Sequence, residues 1–354
     1  MGARVAGRID PGQAARCLIG GWGRAGLHKR DEAAERLPVN ARPPRAKGTT
    51  GDFFDMTRKW LKSTEFIRFE VADRVARITL NRPEKKNTLN SHLLAELRQA
   101  FLEADDLADV SVIVLQGEGR DFCAGYDLTG SYGGGADGGE PEFDPAAYRS
   151  RNATLDDDCW HMERQAENMN IIPQLHKPVI CKIKGYCLAG GTDLAMGCDI
   201  LMASDDAKIG FPATRANGTP PNNYWLYHMG PQWAKRMLFT GDTLMGSDAA
   251  RLGLVLDAWP IDEIDEAVDE MARRMAAVDA ELLSVHKRAV NFQLELMGMV
   301  TAQRFTVELD GRGHLAQGPR RTAFRADVKE VGLKQALKNR DAPFGDGIVR
   351  LKSR

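Results

Sequence analysis

Apolar and polar positions fall into clear periods from residue 66 onward. The run "FIRFEVADRVARITLNRP" (66–83) carries two β-rich stretches on either side of Ala72, Asp73 and Arg74, which predicts a β-hairpin ended by Pro83. In "NSHLLAELRQAFLEADD" (90–106) Leu93, Leu94, Leu97, Ala100 and Phe101 share one face at helical spacing, with Asn90 or Ser91 placed to cap it. The runs "VSVIVLQGEG" (110–119) and "KPVICKIKGYCL" (177–188) are continuously apolar, as strands covered on both faces require. Residues 153–175 predict another helix. Beyond residue 261, Ile264, Val268, Met271, Ala272 and Met275 mark one helical face, and 281–297 predict a further helix. Strand, helix and strand joined by short links give an α/β fold.

Two stretches lie outside this pattern. Residues 1–57 are rich in Arg, Gly, Ala and Pro without a sustained apolar period, and are expected to be a disordered extension. A transit peptide is disfavoured there by Asp31, Glu32 and Glu35, and Met56 is an alternative start. The segment "TGSYGGGADGGEPEFDP" (129–145) is glycine-rich and acidic, which predicts a mobile loop. The expected organisation is an extension over 1–57, an α/β core over 58–260 and a helical region over 261–354.

Composition narrows the function. The 354 residues are 43% hydrophobic and 27% charged, with a net charge of −1, so charge implies no nucleic-acid partner. No apolar run is long enough to span a bilayer. The six cysteines form no CxxC pair and read as reduced thiols of a cytoplasmic protein, with Cys181 and Cys198 in apolar runs. "GEGRDF" (117–122) ends in Phe122, so it is not a dinucleotide fingerprint. "GDTLMGS" (241–247) lacks the phosphate-loop lysine. His161 and His228 stand alone in the sequence, so no metal site is expected.

The segment "GYCLAGGTDLAMGCD" (185–199) poses a chemical question. Gly190 and Gly191 stand just before Asp193 at the mouth of an apolar run. They either bring backbone N–H groups up to a ligand or allow close packing of helix on strand. Asp193 is either an acid/base or a helix cap.

Three segments taken together answer for a family. "ITLNRPEKKNTLN" (78–90), "GEGRDFCAGYDL" (117–128) and "KPVICKIKGYCLAGGTDLAMGCDILMASDDAKIGFP" (177–212) resemble the crotonase superfamily of enoyl-CoA hydratases, isomerases and relatives. The resemblance runs from about Phe66 to Pro260 and continues more weakly to about Phe344. It implies a crotonase-like spiral of ββα units with a C-terminal helical trimerisation region, assembled as a trimer or a dimer of trimers. It implies an acyl-CoA substrate, with coenzyme A as part of that substrate and no further cofactor. It also implies an oxyanion hole made by the backbone N–H groups of Tyr126 and Gly190, with Ala124, Gly125, Asp127 and Gly191 around them. Contacts to the CoA moiety are expected from Lys85, Lys86 and Asn87. At the far end Lys338 or Arg340 takes the place of a family lysine, because Asn339 occupies that position.

The chain also departs from the pattern. Family hydratases use two glutamates. The first position is held here by Asp193, as in some dienoyl-CoA isomerases, and the second falls on Ala213, which transfers no proton. Candidates to replace it are Asp157, His161 and Glu163 on the 153–175 helix, and Asn222 and Asn223. Tyr126, Trp160, Phe211, Tyr224 and Trp225 are candidates to line an acyl pocket. Hydration, isomerisation or C–C cleavage, and acyl-CoA binding without catalysis all remain open at this point.

Overall fold

The computed structural model describes residues 58–129, 144–150 and 153–352. The expected N-terminal extension and nearly all of the glycine-rich loop lie outside the described residues. Strands β1 (Ile67–Ala72) and β2 (Val75–Leu80) form the predicted hairpin, with Ala72 opposite Val75. Asp73 and Arg74 both take positive φ (49° and 66°), which a two-residue turn matched to the strand twist needs. Helix α1 (Ser91–Asp106) follows, and Asn90 Oδ1 accepts the Leu93 N–H at its start.

A six-stranded sheet has the order β1-β2-β3-β4-β6-β9, using β3 (Val112–Gly117), β4 (Val179–Ile183), β6 (Ile200–Ser204) and β9 (Asp257–Trp259). Beyond the hairpin every pairing in it is parallel. Both faces are covered. Ile113 and Leu115 point into the main core with Leu97 and Phe101 of α1, whereas Val112 and Val114 pack with Ile264, Val268 and Ala272. Those three residues belong to α6 (Ile264–Ala276), so the first helix expected in a C-terminal region is part of the sheet's own packing. A boundary at 260–261 therefore divides no core.

The predicted strand 177–188 is two strands. Gly185 (φ +55°) turns the chain, and a Cβ there would lie 2.4 Å from Asp121 Oδ1. After the turn, β5 (Tyr186–Leu188) joins a second sheet with β7 (Lys208–Gly210) and β8 (Thr243–Met245), in the order β5-β7-β8. The helix predicted over 153–175 is α2 (Leu155–Asn170). A short 3₁₀ turn (Ile172–Gln174) containing Pro173 follows it. Helices α3 (Gly190–Ala195), α4 (Trp225–Thr240) and α5 (Gly246–Arg251) alternate with the strands. Helices α7 (Ala280–Leu296), α8 (Met299–His314), α9 (Pro319–Val331) and α10 (Leu333–Asp341) close the chain. Lys287 pins α7 to the core: its Nζ donates to Ile172 O and Lys177 O and pairs with Asp199 Oδ2 at 2.9 Å.

Candidate active site

The two motif segments run side by side. Cys123 pairs with Cys187 of β5, and Leu89 forms a parallel bridge to Tyr126. In that bridge Leu89 N–H donates to Gly125 O and Leu89 O accepts from Asp127 N–H. A residue whose two flanks make the bridge turns its own N–H to the opposite side. The Tyr126 N–H accordingly has no acceptor among the described residues. Gly190 N–H, the first of α3, has none either, as the opening N–H of a helix lacks an intrahelical partner. The two strands are close enough that a Cβ on Gly125 would lie 3.4 Å from Gly190 N.

Ala189 sets the direction of that helix start. It holds φ 49° and ψ −117°, a conformation rare for a residue with a Cβ, and its own N–H is tied to Gly210 O. The adjacent glycines do different things. A Cβ on Gly191 would lie 2.4 Å from Cys123 O, so Gly191 serves close packing. A Cβ on Gly190 would meet the Tyr126 ring at 2.8 Å, so Gly190 seats that ring.

Asp193 is neither a helix cap nor a cleft-lining residue. It is 1% exposed, and its Oδ2 accepts from the Tyr126 hydroxyl at 3.0 Å. Its Oδ1 is buried with no hydrogen-bond partner among the described residues. Burial raises its carboxyl well above the ordinary range. The Tyr126 hydrogen bond opposes the rise and the Asp310 charge adds to it. Burial also raises the Tyr126 phenol, and Asp193 adds to that rise. Sequence reasoning assigned Tyr126 a backbone role and missed that its phenol links Asp193 to the cleft.

The cleft itself has a volume of about 1650 Å³. Ala124, Tyr126, Asp127, Ala189 and Phe211 line it, and so does Ala213. No carboxylate replaces Ala213 from that position. Lys86, Lys338 and Arg340 also line it, and Lys86 Nζ lies 4.5 Å from the centre of the Tyr186 ring. Arg340 Nη1 donates to Asn217 Oδ1.

Other expected site residues fall elsewhere. His161 sits on the far face of α2, bonded to Arg149 O and edge-on to Trp160, and Glu163 lies beside Arg164. Neither lines the cleft, because the face turned to it carries Asp158, Met162, Gln165 and Ala166. Asp157 pairs with Arg149. Lys85 is off the cleft wall. Asn87 is fully buried as scaffold: its Oδ1 accepts from Arg82 N–H, and its Nδ2 donates to Glu118 O and Asp121 O. Asp127 pairs with Arg82 at 3.0 Å. Asn222 is buried, off the cleft, with both amide atoms lacking a partner among the described residues, while Asn223 is tied by its backbone to Gln303. Of the aromatic residues, Tyr126 and Phe211 reach the cleft, Tyr224 and Trp225 are core, and Trp160 is exposed.

Burial keeps the neighbouring thiols from ionising readily. Burial pushes Cys123 up to about 12 and Cys187 well above its ordinary value. The described cysteines, Cys181 and Cys198 among them, are free and buried. Among the described residues no cluster of His, Cys, Asp or Glu is arranged to hold a metal ion, and no helix is long and apolar enough to cross a membrane.

Comparison with known proteins gives consistent matches. The family model described as enoyl-CoA hydratase/isomerase matches residues 70–310. EchA13 of Mycobacterium tuberculosis, which carries an enoyl-CoA hydratase name, is 33% identical over 270 residues, covering 70% of this chain and 78% of that protein. The 2,3-dehydroadipyl-CoA hydratase of Escherichia coli is 29% identical, with 63% and 80% covered. The crystal structure of an enoyl-CoA hydratase from Mycobacterium smegmatis superposes with a TM-score of 0.71 at 36% identity, covering 80% of this chain and 96% of that one. An enoyl-CoA hydratase/isomerase from Xanthobacter autotrophicus Py2 gives 0.70 at 30% identity, with 80% and 99% covered.

Proposed function

Because the chain belongs to the enoyl-CoA hydratase/isomerase family, we propose that its cleft binds an acyl-CoA thioester with the carbonyl oxygen on the N–H groups of Tyr126 and Gly190. The observation that carries this reading is the pair of N–H groups without acceptors among the described residues, one turned away from Leu89 by its bridge and one opening α3 behind Ala189. A thioester oxygen gains negative charge as the enolate forms. Each fixed donor aimed at it contributes about 3–4 kcal/mol to the transition state.

Asp193 and the Tyr126 phenol handle the proton in this reading. As the enolate collapses, the phenol gives its proton to carbon and takes one from the buried acid. In the reverse direction the carboxylate draws the proton back through the same hydroxyl. Lys86, Lys338 and Arg340 hold the CoA portion. The exposed apolar residues Leu282, Val285, Phe292 and Leu296 on α7 support association of copies as a trimer or dimer of trimers. The free, buried thiols accord with a cytoplasmic setting.

Isomerisation or C–C cleavage without hydration is a second reading, favoured by Ala213 on the cleft wall. The test is incubation with short, long and cyclic enoyl-CoA thioesters, followed by mass and ultraviolet absorbance. A gain of one water with loss of conjugation marks hydration. A moved double bond at unchanged mass marks isomerisation. No change in any thioester, together with no release of an α-deuterium from a saturated acyl-CoA, removes the enolate reading.

A further inference from the structure

In the same cleft stands a group of side chains that the enolate reading leaves unused. His314, at the end of α8, brings Nδ1 to 2.6 Å from Asp158 Oδ2 of α2. Its Nε2 is 3.8 Å from Asp310 Oδ2, one helical turn earlier and beyond hydrogen-bond distance. All three residues line the same cleft as Tyr126 and Ala213. The backbone fixes the group from several sides. Thr219 N–H donates to Asp310 Oδ1 at 2.7 Å. Arg321 and Arg325 both donate to His314 O. Gly218 and Gly313 let α8 lie against the loop that follows Ala213: a Cβ on Gly218 would be 2.3 Å from Asp310 Oδ1 and 3.5 Å from His314 Nε2.

Exposure distinguishes the partners. The imidazole side chain is 29% exposed, against 14% for Asp158 and 8% for Asp310. The ring can therefore meet a water that the carboxylates meet far less. With Nδ1–H given to Asp158, Nε2 carries the lone pair, and the Asp158 carboxylate stabilises the imidazolium that forms when Nε2 takes a proton. The Tyr126 phenol lines the same cleft, and the Asp310 charge is felt both there and at Asp193 behind it.

We propose that His314, oriented by Asp158, is the general base that activates water in this cleft, supplying from α8 the group that Ala213 lacks. This rests on the enolate reading above. In the step, Nε2 removes a proton from water and the water oxygen bonds to the β-carbon of the enoyl thioester. The C=C electrons move to the thioester oxygen between Tyr126 N–H and Gly190 N–H. The α-carbon then takes a proton from the Tyr126–Asp193 pair. The imidazolium proton returns to that pair through solvent, so the net change is addition of one water across the double bond. The enzyme is thereby a hydratase whose two proton-transfer groups are a buried acid–phenol pair and an imidazole–carboxylate pair.

The test uses two reactions of the full chain. Exchange of α-deuterium from a saturated acyl-CoA reads the enolate machinery alone, and hydration of the short, long and cyclic enoyl-CoA thioesters reads both halves. For His314→Gln, the expected result is a loss of about 100-fold or more in hydration kcat, with KM and deuterium exchange kept. Asp158→Asn is expected to lower hydration in the same selective way, and serves if the first variant does not fold. Hydration by both variants at the wild-type rate overturns the proposal, and so does exchange without hydration of any thioester by the wild type. A parallel loss of both reactions in a folded variant also overturns it, since the pair would then serve enolate formation or structure. Absence of exchange in the wild type removes the enolate reading itself.

Discussion

Replacing Asp193 with asparagine separates the proton this residue holds from the space it fills. The side chain is buried, so burial raises its carboxyl well above the ordinary 3.8, the Tyr126 bond offsets part of that, and Asp310 adds to it. A group with a raised folded-state pKa binds its proton more tightly in the fold than in the unfolded chain. Its stabilising contribution is therefore full below pH 3.8 and is lost as pH rises through the folded-state value. Across that window stability falls by about 1.4 kcal/mol per pH unit relative to a side chain that does not titrate. With an unfolding entropy of about 2.1 cal/mol/K per residue, about 1 kcal/mol moves Tm of a chain this long by roughly 1.5 °C, so the difference grows by roughly 2 °C per pH unit. The assay is calorimetric Tm of wild type and Asp193→Asn from about pH 4 to pH 9. The variant is expected to gain on the wild type as pH rises, while losing deuterium exchange and keeping affinity for a CoA ester. Parallel Tm curves would refute the reasoning, because Asp193 would then be ionised inside the fold.

Other substitutions probe the surroundings. Gly191→Ala drives a Cβ toward the Cys123 carbonyl and should lower stability by about 1–3 kcal/mol, read as a drop in Tm. In Gly190→Ala the nearest atoms to the new Cβ are those of the Tyr126 ring, so the ring is displaced from the site. The substitution should lower deuterium exchange far more than Tm, and the opposite ranking would mean that the ring is not part of the site. Asp127→Asn removes a counter-charge whose pair with Arg82 is more than nine-tenths buried, so a loss of about 3–5 kcal/mol is expected by denaturant unfolding.

Local patterning made much of this fold legible. The hairpin, α1 and β3 follow from period and capping chemistry within a dozen residues of each other. The 177–188 run reads as one strand because β-rich residues continue on both sides of Gly185. The positive φ of Gly185 and the lack of room for a Cβ beside Asp121 mark the turn, and both are tertiary facts. Motif order singles out Tyr126 and Gly190 as candidates, yet Asp193 behind the Tyr126 phenol is a contact across 67 residues that no local period encodes. The same holds for His314 and Asp158, 156 residues apart. The only trace in the sequence is Asp310 and His314 at i and i+4, a spacing common on any helix. His161 and Glu163 lie on α2 but off the face that lines the cleft, and that face is set by packing against α8, which no local period encodes.

The central claim is that two backbone N–H groups polarise a thioester carbonyl. Infrared difference spectroscopy of an acyl-CoA carrying a ¹³C-labelled thioester carbonyl, bound to the full chain, measures that polarisation directly. The account predicts a carbonyl stretch displaced to lower frequency than in water, with the displacement reduced in Gly190→Ala. A bound thioester whose stretch matches the value in water would contradict it.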